Sequence, residues 1–190
     1  QWTVKQYNIP DEYIRSFLVS MRCDLEKKSY ETEEEIASYI YGSADVVGLM
    51  CLKVFCRADE TLFERLKQPA MRLGSAFQKV NFLRDLREDY MLLGRLYFPG
   101  IALESFDEEA KDSLIREIHQ DFCEAYEGIR QLPRESRLPV YVAYRYYRQL
   151  LHIIQETPAP SLISKRVRVG DVQKMLILLT AVLKNKFNRL

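Results

Sequence analysis

The stretch from Asn81 to Gly100 reads NFLRDLREDYMLLGRLYFPG. Its apolar residues recur at helical spacing, and GRLYFP at the end breaks the pattern. Extended back to Phe77 at about 100° per residue, the helix carries Gln78, Asn81, Asp85, Glu88 and Asp89 on a strip roughly 100° wide. Phe77, Val80, Phe82, Leu83 and Leu86 fill most of the remaining circumference. An ordinary surface helix shows one broad polar face; this one is apolar almost all round with a narrow acidic seam. Carboxylates are costly to bury without cations or donors, so the seam is expected to face a cavity. Asn and Asp oxygens suit Mg²⁺, which keeps part of its water shell and bridges to phosphates. The competing reading pairs Asp85 and Asp89 with Arg84 and Arg87 in water.

The segments on either side are helical too. NIPDEYIRSFLVSMRCDLEKK starts a helix at Pro10–Asp11, with Asp11 and Glu12 at the positive end of its dipole. Thr32 followed by Glu33, Glu34 and Glu35 resembles a capping box and opens a helix to about Cys56. ADETLFERL begins a long third helix through the acidic seam, with a bend expected near Pro69 or Gly74. DEEAKDSLIREIHQDFCEAYEGIRQL, LPVYVAYRYYRQLLHIIQ and GDVQKMLILLTAVLKNKF are the later helices. Alternating strands and hairpin turns are absent, KRVRVG being the one short pattern that reads as extended. With Gly and Pro at only seven each among 190 residues, the class is all-α.

Composition narrows the function. Lys and Arg total 28 against 27 Asp and Glu, so there is no basic surplus for nucleic acid. Cys23, Cys51, Cys56 and Cys123 form no CxxC pair and read as reduced thiols of a cytoplasmic protein. His119 and Cys123 lie one turn apart, but two ligands do not make a zinc site. No signal peptide is visible, and the longest strongly apolar run, Met175–Leu183, is shorter than the roughly 20 residues a bilayer-spanning helix needs. Opening on Gln1, the chain is expected to be a processed product or a fragment.

YIYGSADVVGLM (Tyr39–Met50) places glycines and Ser among aromatics inside a helix, where Gly costs about 1 kcal/mol relative to Ala. Tyr39, Ser43, Val46 and Met50 are expected on one face. Gly42, Ala44 and Gly48 permit close approach of a neighbouring helix or a slender ligand. YIYGSADVVG, then AFQKVNFLRDLRED (Ala76–Asp89) and GRLYFP (Gly94–Pro99), together resemble the squalene/phytoene synthase family, the head-to-head prenyl diphosphate synthases. IPDEYIRSFLVSMRCDLEKKSYETEEEIASYI, YRQLLHIIQ and SKRVRV follow the family pattern as well.

The resemblance implies an isoprenoid-synthase-type helical bundle, residues 1–190 forming one helical domain. It implies condensation of two prenyl diphosphates, with two geranylgeranyl diphosphates giving phytoene as first choice. Squalene or dehydrosqualene from farnesyl diphosphate, and a catalytically silent assembly protein of the same fold, are the alternatives. By the same comparison Asn81, Asp85 and Asp89 hold Mg²⁺ on the diphosphate, two or three ions in all, and no NADPH is expected. Tyr39 lies near the reacting allylic carbons. Gln78, Arg84, Tyr97, Tyr147 and Arg166 sit at the diphosphate end, and Ser43, Val47, Gly48, Ala70, Leu73, Gly74 and Phe77 line the prenyl tunnel. The expected site is thus catalytic at Tyr39, Asp85 and Asp89.

Two departures stand out. The family's first aspartate-rich motif has no counterpart here, since Asp11 in DEYIR lacks a second acid one turn on. The chain is therefore expected to be the C-terminal part of a synthase, inactive alone, with apolar surface exposed toward a homodimer partner. Peripheral contact with the inner face of the membrane is expected from the hydrophobic products. Asp45 stands where the family has a small residue; the wheel turns it away from Tyr39, toward a polar partner in helix packing.

Overall fold

The computed structural model describes residues 1–99 and 105–187. Among them there are helices and no strands. In chain order these are α1 (Trp2–Gln6), α2 (Asp11–Glu26), α3 (Glu33–Ile40), a π-helical turn (Tyr41–Asp45), α4 (Val46–Cys56), α5 (Glu60–Leu93), α6 (Glu108–Ile129), α7 (Arg134–Glu156), α8 (Ala159–Ser164) and α9 (Asp171–Lys186). α5 is the axis. It packs against α4 and the π turn on one side and α6, α7 and α8 on the others, while α9 rests on α7.

Local chemistry sets the boundaries. The Thr32 side chain accepts from the Glu35 N–H at 3.2 Å, and the Glu35 carboxylate accepts from the Glu31 N–H at 2.8 Å. Asp59 and Asp107 cap α5 and α6, each accepting at 2.9 Å from the N–H three residues on. α5 runs unbroken through both Pro69 and Gly74 and ends at Gly94, whose φ of 62° places it in the left-handed region. There Arg95 N–H donates to the Asp89 carbonyl (2.9 Å) and Gly94 N–H to that of Tyr90 (3.0 Å), a Schellman closure. α7 starts at Arg134, four residues before the expected Leu138. Pro133 is its N-cap, and Pro139 lies inside it.

Two clusters make the core. Tyr13, Val46, Leu49, Leu52, Phe63 and Leu66 pack α2, α4 and the first turns of α5. The larger cluster runs from Tyr30 and Tyr39 through Val80, Leu83 and Leu86 to Phe122, Leu150, Leu151 and Ile154. Charges stitch the helices where apolar contact stops. Asp121 of α6, buried, receives Lys79 at 2.7 Å and Arg72 at 3.1 Å from α5. Lys111, also buried, donates to the carbonyls of Gln155 (3.2 Å) and Thr157 (2.9 Å) and pairs with Glu108, thereby closing the end of α7.

The π turn was not foreseen. It fits an extra residue into the turn and changes the helical register, so Tyr39, Ser43, Val46 and Met50 do not share a face: Tyr39 joins the larger cluster and Val46 the smaller. Asp45 is buried and accepts from the Ser75 hydroxyl at 2.7 Å, as a packing partner. KRVRVG is non-helical and alternates, Val167 and Val169 turning inward.

One continuous helical run, Glu33–Cys56, is long and apolar enough by length and composition to cross a bilayer, and half of its most apolar window is buried. Asp45 and Lys53 within it are buried with protein partners, Ser75 and Glu60, which is the signature of a core helix. α9 differs. Only Ile177 and Ala181 are buried, while Val172, Met175, Leu176, Leu179 and Leu183 are exposed along one side.

Candidate active site

A cavity of about 450 Å³ opens between α4, α5, α6 and α7. Ser43, Val47, Gly48, Ala70, Leu73, Gly74 and Phe77 all lie on its wall, with Gln78 at one end. The helices approach so closely there because two glycines each face the backbone of the opposing element. A Cβ on Gly48 would stand 2.8 Å from the Ala70 carbonyl oxygen, and one on Gly74 would stand 2.7 Å from that of Ala44. The small residues therefore serve close packing and line the cavity at the same time. The Ser43 hydroxyl is buried without a hydrogen-bond partner among the described residues. The opposite wall, Gly128 and Ile129 from the end of α6, Leu132 from the turn after it, and Pro139, Val140 and Ala143 from α7, was not identified from sequence.

Phe77 links the cavity to the acidic seam. Its ring stacks on Tyr147 at 4.0 Å, and the Tyr147 hydroxyl donates to Asn81 Oδ1 at 3.3 Å. One turn on, Asp85 is bound by Arg84 through Nε (2.9 Å) and Nη2, and by Arg166 Nε at 2.8 Å. Arg166 also reaches Glu88 at 3.1 Å. The side chain of Asp89, half-buried, has no hydrogen-bond or ion-pair partner among the described residues. Burial and then the Asp85 charge push its carboxyl up to about 6. The alternative pairing with Arg84 and Arg87 is realised only for Arg84. A seam of hard oxygen donors at i, i+4 and i+8, its last carboxylate without a hydrogen-bond partner among the described residues, fits a divalent cation in donor chemistry. No cluster of three metal-binding side chains of the His, Cys, Asp and Glu kind occurs among the described residues. His119 and Cys123 are exposed or half-buried, and His119 faces Gln155 at 3.5 Å.

Beside the acidic seam stands an aromatic box. Tyr39 is enclosed by Tyr30 (5.0 Å between centroids), Tyr97 (5.7 Å) and Phe82 (6.2 Å), and Phe82 stacks on Tyr97 at 4.1 Å. Tyr39 is therefore not on the cavity wall. Its hydroxyl donates to Asp24 Oδ1 at 2.9 Å, and burial, more than any charge, drives its ionisation far above the ordinary range. Arg95, placed by the Gly94 cap, donates to the Asp24 carbonyl and stands 3.9 Å from its carboxylate. A β-bridge between Ser29 and Leu96 also joins the two segments.

The squalene/phytoene synthase family model matches residues 1–173. The chain belongs to the squalene/phytoene synthase family. It is 32% identical over 193 residues to the chloroplastic phytoene synthase of Daucus carota, covering 93% of this chain and 48% of that protein. It is 31% identical to the 15-cis-phytoene synthase of Synechococcus elongatus, covering 96% of this chain and 66% of that one. The chain thus spans about half to two-thirds of the length of these curated relatives. Among solved structures, a dehydrosqualene synthase in complex with ligand superposes with a TM-score of 0.76 at 23% identity, covering 95% of this chain and 67% of that one. A squalene synthase from Alicyclobacillus acidocaldarius does so at 0.70 and 23%, covering 82% and 63%. These likenesses establish the isoprenoid-synthase type of helical fold for this member of the family.

Asp24, Arg95 and Tyr30 were not singled out from this family member's sequence. A signal existed for Asp24: it is an acid in the last turn of α2, where the helix dipole disfavours negative charge. An acid in that position calls for a partner elsewhere in the fold.

Proposed function

We propose that this chain forms the cation-binding and prenyl-binding side of a head-to-head prenyl diphosphate synthase, with geranylgeranyl diphosphate as substrate and phytoene as product. The observation that carries the reading is the apolar cavity running through Phe77 and Tyr147 into the seam of Asn81, Asp85 and Asp89. Farnesyl diphosphate is the second substrate reading, since the cavity's length, rather than its chemistry, separates the two.

Asn81, Asp85 and Asp89 would hold Mg²⁺, which when bound neutralises the diphosphate charge as the C–O bond ionises. Arg84 and Arg166 keep Asp85 oriented and add positive charge beside the departing diphosphate. The cavity wall excludes water that would quench an allylic cation. The aromatic box beside the acidic seam would offer electron-rich faces to such a cation. The exposed strip of α9 supports a contact with a membrane surface or a second copy, and the free thiols support a cytoplasmic location.

Calorimetric titration of the chain with geranylgeranyl thiodiphosphate, with and without Mg²⁺, tests the reading. Mg²⁺-dependent binding that disappears in Asp85→Asn/Asp89→Asn is expected. Equal binding in the double variant would remove the seam from the site, and tighter binding of the farnesyl analogue would reverse the substrate order.

A further inference from the structure

Tyr39 is enclosed by three rings, and among the described residues Asp24 is the one acid its hydroxyl reaches, at 2.9 Å. Asp24 is partly buried, about a quarter of its side chain remaining exposed. It is also held in place independently of Tyr39, because Arg95 grips its backbone carbonyl and stands beside its carboxylate. Each partner comes from a different segment: Asp24 from the end of α2, Tyr39 from α3, and Arg95 from the turn that Gly94 caps. Such convergence has a cost in ordering long side chains, which a surface contact would not repay.

We propose that Asp24 is the positioning residue of Tyr39. It fixes the phenol hydroxyl as a donor and, through that charge-assisted hydrogen bond, enriches the ring that on the prenyl reading stabilises developing positive charge. A phenol donating to a carboxylate carries more electron density than one donating to water, and its hydroxyl no longer rotates. Tyr30, Tyr97 and Phe82 hold the ring plane; Asp24 sets the remaining degree of freedom. This use of the pair rests on the prenyl reading above, whereas the pairing itself does not.

The test has two arms on the intact chain. In the first, tyrosine labelled with ¹³C at Cζ is incorporated, and the Tyr39 signal is assigned by its loss in Tyr39→Phe. Asp24→Asn should move that signal upfield, Asp24→Glu should restore it in part, and Tyr13 in the other core cluster should not move. A Tyr39 signal unchanged in Asp24→Asn would overturn the proposal. In the second arm, binding of a geranylgeranyl dimethylammonium ion is measured with Mg²⁺ and inorganic diphosphate. Asp24→Asn and Tyr39→Phe should each weaken it by about tenfold, and the double variant should be no weaker than either single one. Losses that multiply would mean that Asp24 acts by its own charge, which also overturns the proposal. If the wild-type chain binds neither this ion nor the thiodiphosphate, the prenyl reading falls and the catalytic use of the pair falls with it. A moved Tyr39 signal in that case leaves the hydrogen bond as a structural contact.

Discussion

Asp45 puts a carboxylate into a helix interface with the Ser75 hydroxyl as its hydrogen-bond partner. Burial is the main cause that pushes its carboxyl from 3.8 up to about 6, against the pull of Ser75 and Lys79. The folded state therefore holds this proton more tightly than the unfolded chain. The stabilisation is full below about pH 4 and is lost as pH rises through about 6. Asp45→Asn should flatten the pH dependence of the urea midpoint between pH 4 and 7 and raise stability at pH 7 by about 1–2 kcal/mol. Asp121 is buried as well, but it is paired with Lys79 and Arg72. Asp121→Ala leaves the partly buried Lys79 ammonium with Glu117 as its remaining carboxylate, and should cost about 3 kcal/mol in the same measurement. The sequence indicated a polar partner for Asp45 but gave no means of naming Ser75, thirty residues away.

At the scale of elements, the ends of the helices do the positioning. Gly94 closes α5 in the left-handed region and turns the chain so that Arg95 meets Asp24 and Tyr97 enters the aromatic box. Gly94→Ala meets no steric obstacle, so its cost is conformational, about 1 kcal/mol. Thermal unfolding should register that loss, and the Tyr39 Cζ signal should register the displaced Arg95. The turn between α4 and α5 shows the reverse case: Arg57 and Ala58 hold φ of 49° and 71° without being glycine. Ala58→Gly should relieve strain and stabilise the chain by about 0.5–1 kcal/mol in denaturant unfolding. Helix starts were legible because Thr32 and the acids after it act locally. The π turn was not, because it follows from how α2 and α5 press on Tyr41–Asp45.

For the whole molecule, the exposed apolar strip of α9 is the feature most at odds with an isolated chain in water. Leu179→Lys should leave thermal stability within about 0.5 kcal/mol of wild type, since the side chain is exposed. The same change should abolish self-association in sedimentation velocity or co-sedimentation with anionic lipid vesicles, whichever the wild type shows. Unchanged behaviour in both would leave the strip without a role in contact.

Periodicity and spacing by themselves determined the all-α class and the acidic strip on α5, because each depends on residues one or two turns apart; the set of small residues around the cavity came from the family resemblance. The opposite cavity wall, the guanidinium of Arg166 on Asp85 and the meeting of Asp24 with Tyr39 were decided by tertiary structure alone. Those contacts join segments whose relative placement depends on how α5 packs with its neighbours, and side-chain spacing along one helix holds no information about the distance to another.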